Sequence, residues 1–221
     1  MIKALRGVRK FTPSVVVNRY DAMGVVSVLS SRAMFKKFSS DAKRKTAAYD
    51  RIGFTLPNEA LLAGEEPLLQ GDLVIYGTDK YIVGKLVSNQ YWVPRGPFEG
   101  CLTFEALYCN ARVNVRNSSV VEDPVDGQAT DPDDDPPVFS NIPVSISSAE
   151  YYTTEPLAEV KDKFFLGVPG TLSLAVNQVI EILAFSDTDG MLDHTSYRIE
   201  HPIVDSVGVK KYVINKNLDG F

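Results

Sequence analysis

Cys101, Cys109, His194 and His201 are the side chains of this chain best suited to nucleophilic or metal chemistry. A reactive thiol needs a nearby cation, helix N-terminus or metal to lower its pKa, and Cys101 has no neighbouring His or cationic group in sequence. With two histidines and no Cys-x-x-Cys pair, a structural zinc site has too few ligands of the usual kind. Asp193 beside His194 could form an acid/base pair, with His201 seven residues on, but ordinary polar residues at strand ends or loops account for both histidines more simply. Asp131-Pro-Asp-Asp-Asp135 gathers carboxylates without the spacing of an EF-hand loop, and Ser186-Asp-Thr-Asp-Gly190 reads as a turn between strands. The chain contains no Gly-x-Ser-x-Gly elbow, phosphate-binding Gly-x-x-x-x-Gly-Lys-Ser/Thr loop, Gly-x-Gly-x-x-Gly fingerprint or His-Glu-x-x-His pair. The expectation is a protein without catalytic residues, metal or cofactor.

Two segments are candidates for binding instead. Lys36, Lys37, Lys43, Arg44 and Lys45 crowd one stretch and could meet an acidic partner or phosphate; simple solvation of an exposed loop is the alternative. Tyr91, Trp92, Arg95 and Phe98 combine the residue types enriched at interface hot spots, although core packing of Trp92 fits equally well. Stacking of bases on these rings is disfavoured by the scarcity of basic residues around them.

These residues must be positioned by β-structure. The 221 residues are 44% hydrophobic and 23% charged, enough to bury a core and too apolar for disorder throughout. Apolar runs are short and β-branched, and none approaches the 18 residues of a membrane-spanning helix. The first ten residues lack the apolar stretch of a secretory signal, so folding in a cytosol is expected, with the two cysteines as buried free thiols. Strands are expected near Ser14 to Tyr20, Gly24 to Leu29, Asp50 to Leu56, Asp72 to Tyr76, Lys80 to Val87 and Ala111 to Val115. Gly77 marks a tight hairpin between the fourth and fifth of these. Short helices are expected at Ser40 to Ala48 and Phe98 to Leu107, and long excursions at Ser30 to Tyr49 and Asn89 to Asn110.

The order of features returns in the second half. Arg51-Ile-Gly-Phe-Thr-Leu-Pro57 is echoed by Lys163-Phe-Phe-Leu-Gly-Val-Pro169, and Gly71-Asp-Leu-Val-Ile-Tyr76 by Asn177-Gln-Val-Ile-Glu-Ile182. Lys80-Tyr-Ile-Val83 is echoed by Ser196-Tyr-Arg-Ile199, and Phe11-Thr-Pro-Ser-Val-Val-Val-Asn18 by the segment from Phe139 to Ser147. A duplicated unit explains this order; grammar shared by all β-proteins is the alternative. Between the halves, Val120 to Pro137 carries seven acidic residues, four prolines and no basic residue, and reads as an extended linker. The fold expected is mainly β: two small barrel-like or sandwich-like domains with long loops. Residues 1–119 form the first, with a basic loop at 30–49, residues 120–137 the linker, and residues 138–221 the second. Charge is polarised too: residues 1–50 hold eleven Lys/Arg against three Asp, while the remainder holds twelve basic and 25 acidic residues, giving −5 overall.

Asp50-Arg-Ile-Gly-Phe-Thr-Leu-Pro-Asn-Glu-Ala-Leu-Leu-Ala63, followed by Leu69-Gln-Gly-Asp-Leu-Val-Ile-Tyr-Gly-Thr-Asp-Lys-Tyr-Ile-Val83, resembles the central passage of tailed-bacteriophage head-closure, or stopper, proteins. Thr12 to Asp21 is similar to their opening strand, and the likeness covers residues 8 to 88. The resemblance implies a virion structural protein of the head-to-tail interface, folded in the host cytoplasm, that forms a homo-oligomeric ring. It implies neighbouring copies, portal or adaptor and tail proteins as partners, with double-stranded DNA passing through the channel without sequence-specific binding. It also places Lys36, Lys37, Lys43, Arg44 and Lys45 on the loop that meets the layer above. No membrane contact is expected. The alternative within the same class is a tail terminator, tail-tube or baseplate subunit.

Overall fold

The structure is a computed structural model, and it describes residues 9–10, 12–37, 51–88, 101–117, 136–148, 163–185, 196–203 and 207–216. Twelve strands are assigned, and they close into two six-stranded antiparallel barrels. The first contains β1 (Ser14–Tyr20), β2 (Val26–Lys37), β3 (Arg51–Thr55), β4 (Leu73–Tyr76), β5 (Asp79–Ser88) and β6 (Leu102–Tyr108). The second contains β7 (Ala111–Arg116), β8 (Phe139–Ser148), β9 (Lys163–Pro169), β10 (Val179–Phe185), β11 (Ser196–Pro202) and β12 (Val209–Lys216).

Around the first barrel the order is β1-β2-β3-β6-β5-β4, and β4 returns to β1 through Val16↔Ile75, Val17↔Val74 and Asn18↔Leu73. Around the second it is β7-β8-β9-β12-β11-β10, closed by β10 on β7 with Ile180 opposite Val115. Adding six to each strand number converts one order into the other. The two halves therefore share one topology, as the repeated sequence features suggested.

The likeness extends to individual hydrogen bonds. Before β4, the Gly71 N–H donates to the Val83 carbonyl (2.8 Å) and the Val83 N–H to the Asp72 carbonyl (2.8 Å). Before β10, the Asn177 N–H donates to the Ile199 carbonyl (2.9 Å) and the Ile199 N–H to the Gln178 carbonyl (2.9 Å). Gly71 has φ +92° and Asn177 φ +71°, the left-handed region that Gly and Asn tolerate best. Each following side chain closes its own turn: Asp72 Oδ2 accepts from the Leu69 N–H (2.8 Å), and Gln178 Oε1 from the Ala175 N–H (2.8 Å). The register then shifts beyond Val83 in the β5–β6 ladder and beyond Ile199 in the β11–β12 ladder, placing a bulge at the same point in both barrels.

Inward positions of the first barrel are filled by Val15, Val17, Ala33, Val74, Tyr81, Val83, Phe104 and Ala106. Phe35 stacks on Tyr81 (centroids 4.4 Å apart) and meets Phe104 edge-on (5.6 Å). Gly53 lies directly opposite Phe104 in the β3–β6 ladder, and the ring folds over it. The second barrel buries Val113, Val115, Ile142, Val144, Ile146, Leu166, Ile180, Tyr197, Ile199 and Ile214, with Phe164 edge-on to Tyr197.

Several expectations change. Ser30 to Lys37 is strand, not loop: β2 continues into its ladder with β3, and its buried inward positions Ser31 and Ala33 are too small to leave a strong apolar signature. Phe98 to Leu107 is not a helix; Leu102–Tyr108 forms β6, so the excursion after β5 covers only 89–101. The strand at Ala111–Arg116 opens the second barrel instead of ending the first. Contacts divide the chain after Cys109, into Met1–Cys109 with Val168–Ser173 and Asp205–Lys210, and Asn110–Gly167 with Leu174–Val204 and Lys211–Phe221. The acidic, proline-rich stretch thus connects β7 to β8 within one barrel; it does not separate two. Phe139–Ser148 is the counterpart of β2, not of the Phe11 to Asn18 stretch, since topology equates β1 with β7. The expected helix at Ser40 to Ala48 lies outside the described residues.

Beside the first barrel, the β3–β4 connection is pinned by Glu65. Its carboxylate accepts from Arg9 Nη2 (2.7 Å), Arg32 Nε (2.8 Å) and the Leu62 N–H (2.9 Å). Burial alone would raise this carboxyl's pKa, but the Leu62 N–H, then Arg32 and Arg9, outweigh it and hold the group at about 2 against an ordinary 4.5. The folded value is the depressed one, so the contribution is complete above the unfolded pKa and is lost as pH falls toward 2. Acid titration of the folded protein followed by circular dichroism should therefore show a stability loss below pH 4.5 that is smaller in Glu65→Gln, with the variant already weaker at pH 7. Gly53→Ala tests the packing directly, because a Cβ there would run into the Phe104 ring. Chemical denaturation should show a loss of about 1–3 kcal/mol or more, and Phe104→Leu in the same chain should restore part of it.

Candidate functional site

Strand direction decides which segments share an end of the first barrel. In the β2–β3 ladder Lys36 is opposite Ile52 and Lys37 opposite Arg51, so the chain leaves and re-enters the barrel through three cationic residues. The connection between them, 38–50, carries Lys43, Arg44 and Lys45, which lie outside the described residues. Lys36 is exposed. Arg51 was absent from the basic group read in the sequence; only the register brings it to Lys37. Like charges placed directly opposite on neighbouring strands oppose pairing by themselves. An anionic partner at this end would turn that penalty into attraction.

Tyr91, Trp92, Arg95 and Phe98 lie outside the described residues, in the connection from β5 to β6. Its flanking residues, Ser88 and Leu102, oppose one another, and Leu102 also opposes Thr55. Thr55 is at the far end of β3 from Arg51. The ladder therefore starts the basic and the aromatic connections from opposite ends of the barrel, and the two groups read in the sequence do not form one site.

The aromatic end also carries a surface feature with no warning in the sequence. β1 and β2 extend past the barrel as a hairpin, and Met23, Val25 and Val28 are 79%, 63% and 70% exposed. A run such as Val25 to Leu29 reads as a buried strand, and its composition holds no sign that Val25 to Val28 are exposed.

Chemistry of the catalytic kind has little to build on among the described residues. Cys101 and Cys109 are both buried free thiols, and burial pushes the Cys101 thiol up to about 11, so it stays protonated at neutral pH. His201 is exposed on β11, 4.0 Å from Glu200, and His194 lies outside the described residues. Among the described residues no group of three or more His, Cys, Asp or Glu is placed to hold a metal ion, and no helix is long and apolar enough to cross a membrane. Arg19 is committed to structure: its Nε and Nη2 reach Asp72 at 2.8 and 2.9 Å, and Nη2 also donates to the Pro67 carbonyl (2.9 Å). No protein-family model, no curated protein and no solved structure matches the chain.

Proposed function

We propose that the chain is a non-enzymatic structural protein of a tailed-phage virion, a neck component that assembles as a ring between portal or adaptor and tail and surrounds the DNA channel. The observation carrying this reading is the pair of closed barrels of one topology whose connections, not their cores, hold the charge: cationic at the β2–β3 end of the first barrel, acidic between β7 and β8 of the second. Closed barrels leave little strand edge, so partners are met mainly through connections and side-chain faces, as in a building block. Head-to-tail contact between identical copies closes into a ring whenever the rotation permits, and each weak contact is then repeated. An acidic body suits a conduit for DNA, because repulsion keeps phosphates from adhering to its wall. The cationic end, at Lys36, Lys37, Arg51 and the 38–50 connection, is the side offered to an acidic partner layer. The resemblance of residues 8 to 88 to stopper proteins points the same way.

Electron microscopy of the purified full chain tests the reading: rings with a central channel are expected, and a monomer at every concentration, with or without a portal ring, would overturn it. Replacing Lys36, Lys43, Arg44 and Lys45 with Glu should leave the fold intact and weaken docking to the portal ring. The deficit should be largest at low salt, where the wild-type attraction is least screened. Docking of the charge-reversed chain at low salt with wild-type affinity would remove the basic end from the interface.

A further inference from the structure

We propose that the β1–β2 hairpin tip is the contact by which each copy grips the next copy of this chain, an assignment that rests on the ring reading above and names the surface that builds it. The tip is apolar on both sides. Met23, Val25, Val26 and Val28 are all at least 40% exposed, and Val26, Ser27 and Val28 are exposed in succession, so neither face of this part of β2 is buried on the barrel. From Ala22 to Ser31 the sequence contains no charged residue.

The tip is built in its extended form. Asp21 Oδ1 accepts from the Met23 N–H (2.9 Å) and the Val25 N–H (2.8 Å), the Gly24 N–H donates to the Asp21 carbonyl (3.1 Å), and the Asp21 N–H to the Val25 carbonyl (3.0 Å). Gly24 supplies φ +80°. A partner that binds this tip therefore pays little to order it. Nor does the barrel architecture require it. In the second barrel the same connection, from β7 to β8, is a long acidic and proline-rich stretch.

Charge and area select the occupant. Copies carrying −5 repel each other, and a surface whose one carboxylate, Asp21, is already engaged by the Met23 and Val25 N–H groups is where two of them meet at low cost. Four apolar side chains at this exposure make a patch of roughly a few hundred Å², about the size that on a monomer is often functional. That falls short of the ~800 Å² each partner gives to a free-standing interface. A two-copy complex held by this patch alone would be weak, whereas a closed ring repeats the contact at every subunit boundary. The tip meets its neighbour through these side chains and through the edge of β2 from Val26 to Leu29, which pairs with β1 alone because β3 joins β2 only from Ala33 onward.

Sedimentation and native mass measurement of the full chain, wild type against Met23→Asp/Val28→Asp, decide the matter. The expected result is wild-type rings and a variant whose assembly midpoint moves at least tenfold to higher concentration with an unchanged unfolding midpoint. Leu183→Asp, on the exposed face of β10, should leave assembly as it was. If the aspartates lower the unfolding midpoint, the uncharged pair Met23→Ser/Val28→Thr makes the same comparison. A photo-cross-linking residue at position 23 should join one copy to another in wild-type-like assemblies. Rings that form at wild-type concentrations in both tip variants, or a cross-linker that never reaches a second copy, would overturn the tip assignment and leave the ring standing. A wild-type chain that stays monomeric would overturn the ring, and the tip assignment with it.

Discussion

Closure of each sheet on itself is the constraint from which the rest follows. A six-stranded sheet left open would present two rows of unpaired N–H and C=O groups, each a template for unwanted pairing. In the first barrel the last gap is bridged by only three residue pairs between β1 and β4, strands more than fifty residues apart in the chain. The bidentate Arg19–Asp72 pair stands at one end of that seam, and because Asp72 is buried, its hydrogen bonds to Arg19 and to the Leu69 N–H are what make its burial tolerable.

The second barrel puts a neutral pair at the same point of its seam: where Arg19 meets Asp72, Asn117 Oδ1 accepts from Gln178 Nε2 (3.0 Å), while across the seam the Glu181 carboxylate accepts from Asn114 Nδ2 (3.0 Å) and Arg116 Nε (3.3 Å). The backbone geometry of the turn is common to both, down to a residue at positive φ and a side chain that caps the N–H three residues back. What is shared is what the backbone needs; what differs is which side chains supply it. The connections have diverged further. A five-residue hairpin turn in one barrel corresponds to a 22-residue, largely acidic connection in the other, and the two-residue Gly77–Thr78 turn to the 186–195 segment. Barrels whose ladders are satisfied internally leave such segments free to change, because loop length costs little once the core is closed.

Within the reading of the chain as a neck component, this division of labour has a direct meaning. Stability resides in ladders and inward aromatic packing, and recognition in connections that emerge at opposite ends of a barrel. The cationic end of the first barrel is assembled by register from Lys36, Lys37 and Arg51, whose neighbours in sequence are unremarkable apolar residues on one side and the Lys43–Lys45 segment on the other. The apolar tip belongs to the other end, so one barrel can address two different partners without their surfaces competing.

The class of fold was legible in the sequence because β-branched runs, punctuated by turn residues, have a period and length that only strands satisfy; Gly77 and the repeated 71–83 and 177–199 features followed from the same local chemistry. Local chemistry also misled where inward positions were small, as at Ser31 and Ala33, or where a short alternating run such as Leu102-Thr-Phe-Glu-Ala106 is built partly of good helix formers (Leu, Glu, Ala). Which barrel owns the strand Ala111–Arg116, whether Lys37 faces Arg51, and whether Val28 is core or surface depend on pairings between residues far apart in the chain. Burial and register are properties of a closed ring of strands, and a linear pattern of apolar and polar residues does not contain the closure.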